Sequence, residues 1–76
     1  MRKHTREIEL GKITPNLRIV YSVESIEDIV QHIKRSGQVE PIQISFEHDS
    51  FRIMDGEKRW RACRKLGMRS IRAVIA

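Results

Sequence analysis

Apolar residues recur with a helical period in one stretch of the chain and with a strand period in others. Between residues 22 and 36 they return every three or four positions. The apolar residues that share one arc of about 100° on a helical projection are Ile26, Ile29, Val30 and Ile33. Ser22 or Ser25 can cap the start of this helix, and Gly37 stands where a left-handed C-terminal cap belongs. The pattern predicts an amphipathic helix over residues 22–36.

Alternation of apolar and polar residues, which is typical of half-buried strands, occurs in three segments. They are residues 6–10, 41–46 and 71–75. The tripeptide His48-Asp49-Ser50 predicts a hairpin turn that leads into a further strand at residues 51–54. Residues 11–20 include Thr14-Pro15-Asn16 and are predicted to form a turn followed by extended chain.

A second helix is predicted from Gly56 to Leu66, with its end at Gly67. The order of the elements is then β-α-β-β-α-β. This order predicts a small α+β fold over residues 1–76, a single domain in which two helices pack on a small mixed sheet. Because the chain stops inside the last predicted strand, we expect either a fragment of a longer protein or a minimal stand-alone domain.

The charge balance narrows the range of partners. Among the 76 residues, 15 Lys and Arg against 10 Asp and Glu give a net charge of +5 and a pI near 10.0. Such a balance favours polyanions, either nucleic acid or nucleotides. No apolar run reaches the roughly 18 residues that a membrane helix needs, so we expect a cytoplasmic protein without a membrane partner. Cys63, the single cysteine, agrees with a reducing compartment, and its place mid-helix favours packing over a nucleophilic role.

The start of the second helix has the chemistry of a phosphate site. Gly56 allows the backbone to approach a ligand closely, and the N–H groups of a first helical turn are unpaired and lie at the positive end of the helix dipole. Lys58 and Arg59 can close around an anion bound there. Glu57 is either a helix-start carboxylate that suits the dipole or a ligand that holds Mg²⁺ on a phosphate.

Arg59 is unusual in this helix because it falls inside the apolar arc of the projection. Burying its guanidinium unpaired would be costly. It therefore either pairs with Asp28, Glu40 or Asp55 or reaches a ligand phosphate, and we favour the phosphate. The opposite, exposed face carries three cations that are either solvated or contacts for nucleic acid. They are Arg61, Arg64 and Lys65.

Three segments of the chain resemble sequence boxes of a known family. Residues 36–42, Ser-Gly-Gln-Val-Glu-Pro-Ile, resemble the Gly-x-x-Gln-Pro-type box of the ParB N-terminal domain. Residues 55–62 are similar to its Gly-Glu-Arg-Arg-x-Arg-Ala box, with Lys58 where the family usually has arginine. Residues 8–16 look like its opening Ile-x-x-Leu-x-x-Ile-x-x-Asn segment. The likeness covers nearly the whole chain, and the second box is its most specific part.

The resemblance implies the ParB/sulfiredoxin fold, whose members bind nucleotide phosphates at the second box. Glu57 stands where sulfiredoxins place their reactive cysteine, so sulfiredoxin chemistry is excluded. The same glutamate is the candidate catalytic group and Mg²⁺ ligand. The nucleotide contacts carried over by position are Gly37 and Pro41 at the base and sugar, Gln38 in the same box, and Gly56, Glu57, Lys58 and Arg59 at the phosphates and metal.

Three functions follow as hypotheses. The first is a domain that binds CTP or ATP with Mg²⁺ and acts as a switch or regulatory module of a DNA-associated protein of the partition or transcription type, which a homodimer of the full-length protein would suit. The second is an enzyme of phosphoryl transfer or nucleotide hydrolysis, with Glu24 or Glu57 as acid–base groups. The third is a basic module that binds nucleic acid without nucleotide.

Overall fold

Five strands and two α-helices make up the computed structural model, which describes residues 4–16, 18–37 and 39–76. The strands are β1 (Arg6–Glu9), β2 (Ile13–Thr14), β3 (Ile42–Glu47), β4 (Ser50–Asp55) and β5 (Ser70–Ile75). The helices are α1 (Val23–Ser36) and α2 (Glu57–Lys65), and a 3₁₀ turn over Leu10–Lys12 joins β1 to β2. Within these ranges, neither helix has the length and apolar character needed to cross a membrane.

The strands form one mixed sheet in the order β1-β5-β3-β4-β2. The pairs β1–β5 and β3–β4 are antiparallel, whereas β3–β5 and β2–β4 are parallel. The predicted α+β class, with two helices on a mixed sheet, is confirmed. The prediction missed β2, in which Ile13 pairs with Phe51 of β4, because a two-residue strand is too short to show alternation.

Helix α1 begins and ends where the sequence predicts. The Ser22 hydroxyl accepts a hydrogen bond from the Ser25 N–H at 3.1 Å and so caps one first-turn donor. Gly37 has a φ of 70°, and its N–H donates to the Ile33 carbonyl at 2.8 Å. From the predicted apolar arc, Val30 and Ile33 are buried. The helix is therefore fixed at both ends and along its inner face.

The core is built from the helices and the middle strands of the sheet. Its most deeply buried large side chains are Ile42, Ile44, Ile71 and Cys63. Full burial of one isoleucine stabilises a fold by roughly 1.5–3 kcal/mol, so the neighbouring strands β3 and β5 anchor the sheet. The burial of Cys63 agrees with its predicted packing role, and that burial raises the pKa of its thiol.

The β3–β4 hairpin brings the two family-like boxes together. His48 and Asp49 form its turn with φ angles of 52° and 62°, the left-handed values that tight two-residue hairpin turns need. The predicted hairpin is confirmed, with Ser50 already in β4. Antiparallel pairing then places Gln43 opposite Asp55. The described residues of the first box, 36–37 and 39–42, consequently lie near residues 55–62 at one end of the sheet.

Candidate functional site

Gly56 joins the two boxes by direct packing. Its φ of 107° and ψ of 23° lie in the left-handed region that glycine adopts readily. A Cβ added there would lie 2.5 Å from Ile42 Cγ2, closer than two non-bonded carbon atoms can approach. Glycine is required because the turn before α2 lies directly against the start of β3.

The first turn of α2 presents free backbone donors. No side chain caps this helix, in contrast to α1, and its N-cap is Gly56. The Trp60 N–H bonds to the Gly56 carbonyl at 3.0 Å. In the described part of the chain, the three N–H groups before it, of residues 57–59, have no partner. Together with the roughly half positive charge of the helix dipole, they make this end of α2 suited to an anion.

Glu57 is the one charged residue among the described residues that is buried, at 7% exposed. One of its carboxylate oxygens accepts from the Asn16 N–H at 2.9 Å, and the other accepts from Arg61 Nε at 3.0 Å. Its carboxylate thus joins α2 to the chain that leads into α1. Its role as a Mg²⁺ ligand or catalytic group stays a prediction, and the described residues contain no cluster of three or more His, Cys, Asp or Glu that could hold a metal.

Arg59 bridges the two boxes through its guanidinium. Nη1 donates to the Pro41 carbonyl at 2.8 Å, and Nη2 lies 3.4 Å from the Asp55 carboxylate. A weaker ion pair reaches the exposed Glu40 carboxylate at 3.9 Å. Of the three carboxylates that the sequence suggested as ion-pair partners of Arg59, Glu40 and Asp55 therefore pair with it in the structure. The side chain stays 25% exposed, so the guanidinium lies at the rim of the core and remains reachable by a ligand.

Lys58 is the cationic residue at the start of α2 that has no carboxylate partner among the described residues. In the ranges that the structure describes, it forms no ion pair with a carboxylate. Its Nζ lies 5.2 Å from the ring centroid of Tyr21 instead, within the range of a cation–π interaction. Its full charge is therefore available to an anion at the first turn of α2.

Arg61 is only partly exposed and is bonded within the fold, so the prediction that it lies on the open face with Arg64 and Lys65 is wrong. Its side chain is 23% exposed, and its guanidinium donates to Glu57 and to the carbonyls of Asn16 and Ile19, the last at 2.7 Å. The error arises because the chain after β2 packs on this face of α2, a non-local contact that a helical projection cannot show. Arg61 is thus fully engaged within the fold.

The other two predicted nucleic-acid contacts do lie on the surface. Arg64 is exposed and lies 5.6 Å over the ring of Trp60. Lys65 donates to Glu27 of α1 at 3.1 Å. A hydrogen bond from Gln31, together with the one from Lys65, lowers the pKa of the Glu27 carboxyl. Arg64 is therefore the member of this set whose charge remains unpaired in the described residues.

A cavity of about 570 Å³ opens beside Arg59, between α1, the chain before β3, and β5. This volume lies in the range of small-molecule sites in proteins, roughly 300–1,000 Å³. Arg72 of β5 borders the cavity and donates to the Val39 carbonyl at 3.2 Å. The lining residues are Asp28, Ile29, His32, Ile33, Ser36, Val39, Glu40, Pro41, Arg59 and Arg72. The cavity thus combines an apolar floor with charged groups of both signs.

The predicted nucleotide contacts divide into three groups. Pro41 and Arg59 line the cavity, whereas Gly56, Glu57 and Lys58 lie at the adjoining start of α2. Gly37 ends α1 and does not line the cavity, whereas Val39 and Glu40 do. Gln38 lies outside the described residues. Pro41 of one box and Arg59 of the other therefore line the same cavity, and Arg59 belongs to the same helical turn as Glu57 and Lys58.

Of the ten residues that line the cavity, only Pro41 and Arg59 were predicted as site residues, and the others include side chains that can be charged. Asp28 and His32 are four positions apart on α1 and so share one side of the helix beside its apolar stripe. That spacing was a usable signal. Arg72 offered none, because it alternates with Ile71 and Ala73 as an ordinary outward residue of a strand would.

The sequence matches the family model of the ParB N-terminal domain over residues 1–76. The chain belongs to this family. Relatives of this ParB domain include the nucleoid occlusion proteins of Geobacillus sp. (strain WCH70), 37% identical over 78 residues, and of Bacillus thuringiensis (strain Al Hakam), 36% identical over 74 residues. These alignments cover 97% and 92% of this chain but 28% and 26% of those proteins. The ParB domain thus spans about a quarter of the length of the curated relatives it matches.

Solved structures share the fold of this ParB domain. The C-terminally truncated partitioning protein ParB of Caulobacter crescentus, complexed with CTP-γ-S, has a TM-score of 0.82 and 25% identity over 96% of this chain and 44% of that one. A free serine kinase in complex with AMP has a TM-score of 0.88 and 25% identity over 100% of this chain and 32% of that one. Sulfiredoxin of Arabidopsis thaliana, at 24% identity, has a TM-score of 0.84 over 96% and 84%. The ParB/sulfiredoxin-like fold predicted from the sequence is confirmed.

Proposed function

We propose that this ParB domain binds a nucleoside triphosphate and serves as a nucleotide-dependent switch or regulatory module of a DNA-associated bacterial protein. The phosphates would lie at the start of α2, and the base and sugar would enter the cavity. The observation that carries the proposal is Arg59, which contacts Pro41 of one box and Asp55 of the other while it borders the cavity. One side chain is thus in reach of both halves of such a ligand.

The phosphate half is supported by the free charge at the helix start. Three backbone N–H groups without partners in the described residues lie there, and the first turn of the helix also carries Lys58 and Arg59. The backbone donors are fixed before the ligand arrives, so they bind phosphate oxygens without further reorganisation. Gly56 keeps the approach open because it has no side chain.

The Mg²⁺ that would accompany the triphosphate would be coordinated mainly by the phosphates, with few ligands from the protein. Glu57 uses one acceptor position on each oxygen for Asn16 and Arg61, which leaves further lone pairs on a carboxylate that has about four. Magnesium is commonly held by one or two carboxylates together with substrate phosphates. Glu57 would accordingly be a single supporting ligand, with its orientation fixed by its two protein donors.

Two bases are candidates for the nucleotide that this domain would bind, cytosine and adenine. The ParB neighbour is complexed with CTP-γ-S, and the free serine kinase neighbour with AMP. In this chain the cavity offers Asp28 and Glu40 as acceptors and Arg59 and Arg72 as donors, and both bases have an amino group and ring nitrogens that such groups can bind.

Calorimetric titration with CTP, ATP, GTP and UTP, each with and without Mg²⁺, tests the proposal. We expect saturable binding of CTP or ATP that is stronger with Mg²⁺ and is competed by inorganic triphosphate. Equal, weak binding of all four nucleotides that disappears at moderate salt would contradict it, because that result would indicate only attraction to the net positive charge.

Phosphoryl transfer is the second candidate, favoured by the likeness to free serine kinases. Of its acid–base candidates, Glu24 lies exposed on the first turn of α1, outside the cavity lining, whereas Glu57 is the first residue of α2, where the phosphates would lie. Incubation of the chain with ATP or CTP, Mg²⁺ and free serine would reveal ADP or CDP if it is an enzyme. An unchanged nucleotide after prolonged incubation would restrict the chain to binding.

A nucleic-acid role is the third candidate. Its surface contacts would be Arg64 and Lys65, because Arg61 is engaged within the fold. The basic N-terminus, also predicted to take part, begins with residues 1–3, which lie outside the described residues. Duplex binding that falls steeply with salt, and that an Arg64→Ala and Lys65→Ala double substitution removes, would support it. Duplex binding that is unchanged by both substitutions would exclude this surface.

A further inference from the structure

The chain that leads from β2 into α1 is fastened to the outer side of α2. This crossing segment is defined as Asn16 and residues 18–21. Its Asn16 N–H donates to the Glu57 carboxylate at 2.9 Å, and Arg61 donates to the carbonyls of Asn16 at 3.1 Å and Ile19 at 2.7 Å. All three contacts use backbone groups of the segment, so its path is fixed beside the first turn of α2.

The crossing segment places an aromatic ring beside the candidate phosphate site. The ring of Tyr21 has its centroid 5.2 Å from Lys58 Nζ and 4.9 Å from Arg61 Cζ. Cations at such distances are attracted to the negative face of the ring. Arg61 also has Glu57 as a counter-charge, whereas the ring is the charge-stabilising contact that the described residues give Lys58. Tyr21 is therefore the group that restrains the Lys58 ammonium.

We propose that Tyr21 is a positioning residue that holds Lys58 at the start of α2 for contact with the ligand phosphates. The proposal rests on the proposed function and adds a residue that lies outside both boxes. A lysine side chain has several free torsions, and ordering it on binding reduces affinity. A ring that already confines the ammonium lowers that cost.

An aromatic partner has a specific advantage over a carboxylate here. A carboxylate beside Lys58 would neutralise the cation and compete with the phosphate for it. The ring restrains the ammonium and leaves its charge uncompensated. Because Arg61 ties the carbonyl of Ile19, two residues before Tyr21, to α2, the ring is held against the helix that carries Lys58. The arrangement thus prepares Lys58 for an anion without blocking it.

Two matched substitutions separate the ring from the rest of the side chain. Tyr21→Phe keeps the ring and removes only the hydroxyl, whereas Tyr21→Leu keeps an apolar side chain and removes the ring. The probes are Mg²⁺-CTP, Mg²⁺-ATP and inorganic triphosphate. We expect Tyr21→Leu to weaken the binding of the preferred nucleotide and of inorganic triphosphate by about fivefold, and Tyr21→Phe to change it by less than about twofold.

A double-substitution cycle shows whether Tyr21 acts through Lys58. In a Lys58→Met background, Tyr21→Leu should cause no further loss of affinity, because the group that the ring positions is gone. An undiminished further loss there, or an unchanged affinity of Tyr21→Leu alone, overturns the proposal.

A spectroscopic readout needs no ligand. Ring currents of Tyr21 should shift the side-chain methylene resonances of Lys58, and this shift should persist in Tyr21→Phe and disappear in Tyr21→Leu. A wild-type chain that shows the ring-current shift and binds none of the probes would refute the proposed function. Nucleotide binding by the wild type without any such shift would refute the positioning role alone.

Discussion

Arg59 Nη1 lies 2.8 Å from the carbonyl oxygen of Pro41, which precedes it by 18 residues. A carbonyl carries no net charge, so this hydrogen bond orients the guanidinium without neutralising it. The carboxylates within reach, Asp55 at 3.4 Å and Glu40 at 3.9 Å, are 70% and 89% exposed and therefore screened by water. Arg59 is thus held in one place while most of its charge stays available to a phosphate.

The first prediction concerns the loss of this guanidinium. Arg59→Ala should lower nucleotide affinity by at least about tenfold, because a hydrogen bond to a charged group contributes roughly 1.5–3 kcal/mol. The free energy of unfolding should fall by about 1–2 kcal/mol, since the Pro41 carbonyl loses its donor. Isothermal titration and urea denaturation measure the two effects.

Arg64→Ala is the matched control for that experiment. It removes the same functional group from the same helix at an exposed position that neither box nor the cavity includes. Nucleotide affinity should stay within about twofold of wild type, the change expected from screened long-range charge. Equal losses in the two variants would mean that net charge, and not the Arg59 site, determines binding.

The second prediction concerns Gly56. Gly56→Ala should destabilise the chain by about 3 kcal/mol, because a left-handed conformation costs about 1–2 kcal/mol for alanine and its Cβ would overlap Ile42.

Gly67→Ala is the control for this prediction. Its φ is 75°, but no atom lies within 4 Å of the added Cβ, so only the conformational cost of about 1–2 kcal/mol applies. Urea denaturation of both variants gives the comparison, and a smaller effect at Gly56 than at Gly67 would contradict the close packing on β3.

The helices, the hairpin and the start of α2, where the phosphates are proposed to bind, follow from local sequence. Ser22 and Gly37 bracket α1 because caps and left-handed ends depend on single residue types. Gly56 and the cations after it likewise mark the helix start without reference to distant residues. The family-like boxes then indicate which local features belong to one site.

The parts that could not be predicted depend on contacts between distant residues. Arg61 was placed on an exposed face because nothing in α2 itself shows that Asn16, 45 positions earlier, packs there. The same packing buries Glu57, and it brings Tyr21 to Lys58. Arg72 enters the cavity only because β5 lies beside β3 in the sheet. Each of these placements is a consequence of topology, which residue spacing does not encode.

The third prediction concerns the Glu57–Arg61 pair. Arg61→Ala should destabilise the chain by about 2–3 kcal/mol, because it leaves a buried carboxylate with one donor and frees the carbonyls of Asn16 and Ile19. In a Glu57→Gln background the same substitution should cost less, since no buried charge remains. Urea denaturation of the wild type and the three variants measures the coupling, and strictly additive effects would show that the two side chains act independently.

Faster amide exchange should accompany the loss of Arg61. The residues concerned are those of the crossing segment, whose backbone is held by this guanidinium. Hydrogen exchange followed by mass spectrometry should show the increase over residues 18–21 in Arg61→Ala and not in Arg64→Ala. Unchanged exchange in the segment would mean that other contacts hold it.

The fourth prediction uses Cys63 as a reporter of the core. Burial raises the pKa of its thiol above the ordinary value of 9.0, so the folded chain holds this proton more tightly than the unfolded chain does. The resulting contribution to stability is complete below pH 9.0 and is lost as the pH rises through the folded-state pKa.

Cys63→Ala should lower stability by about 1–2 kcal/mol at pH 7 through the cavity it leaves, yet its stability should decline less steeply than that of wild type above pH 9. Urea denaturation of both chains between pH 7 and 10 tests this, because the other titrating groups are common to both and cancel in the difference. Parallel declines would show that the thiol titrates alike in the folded and unfolded chains and that solvent reaches Cys63.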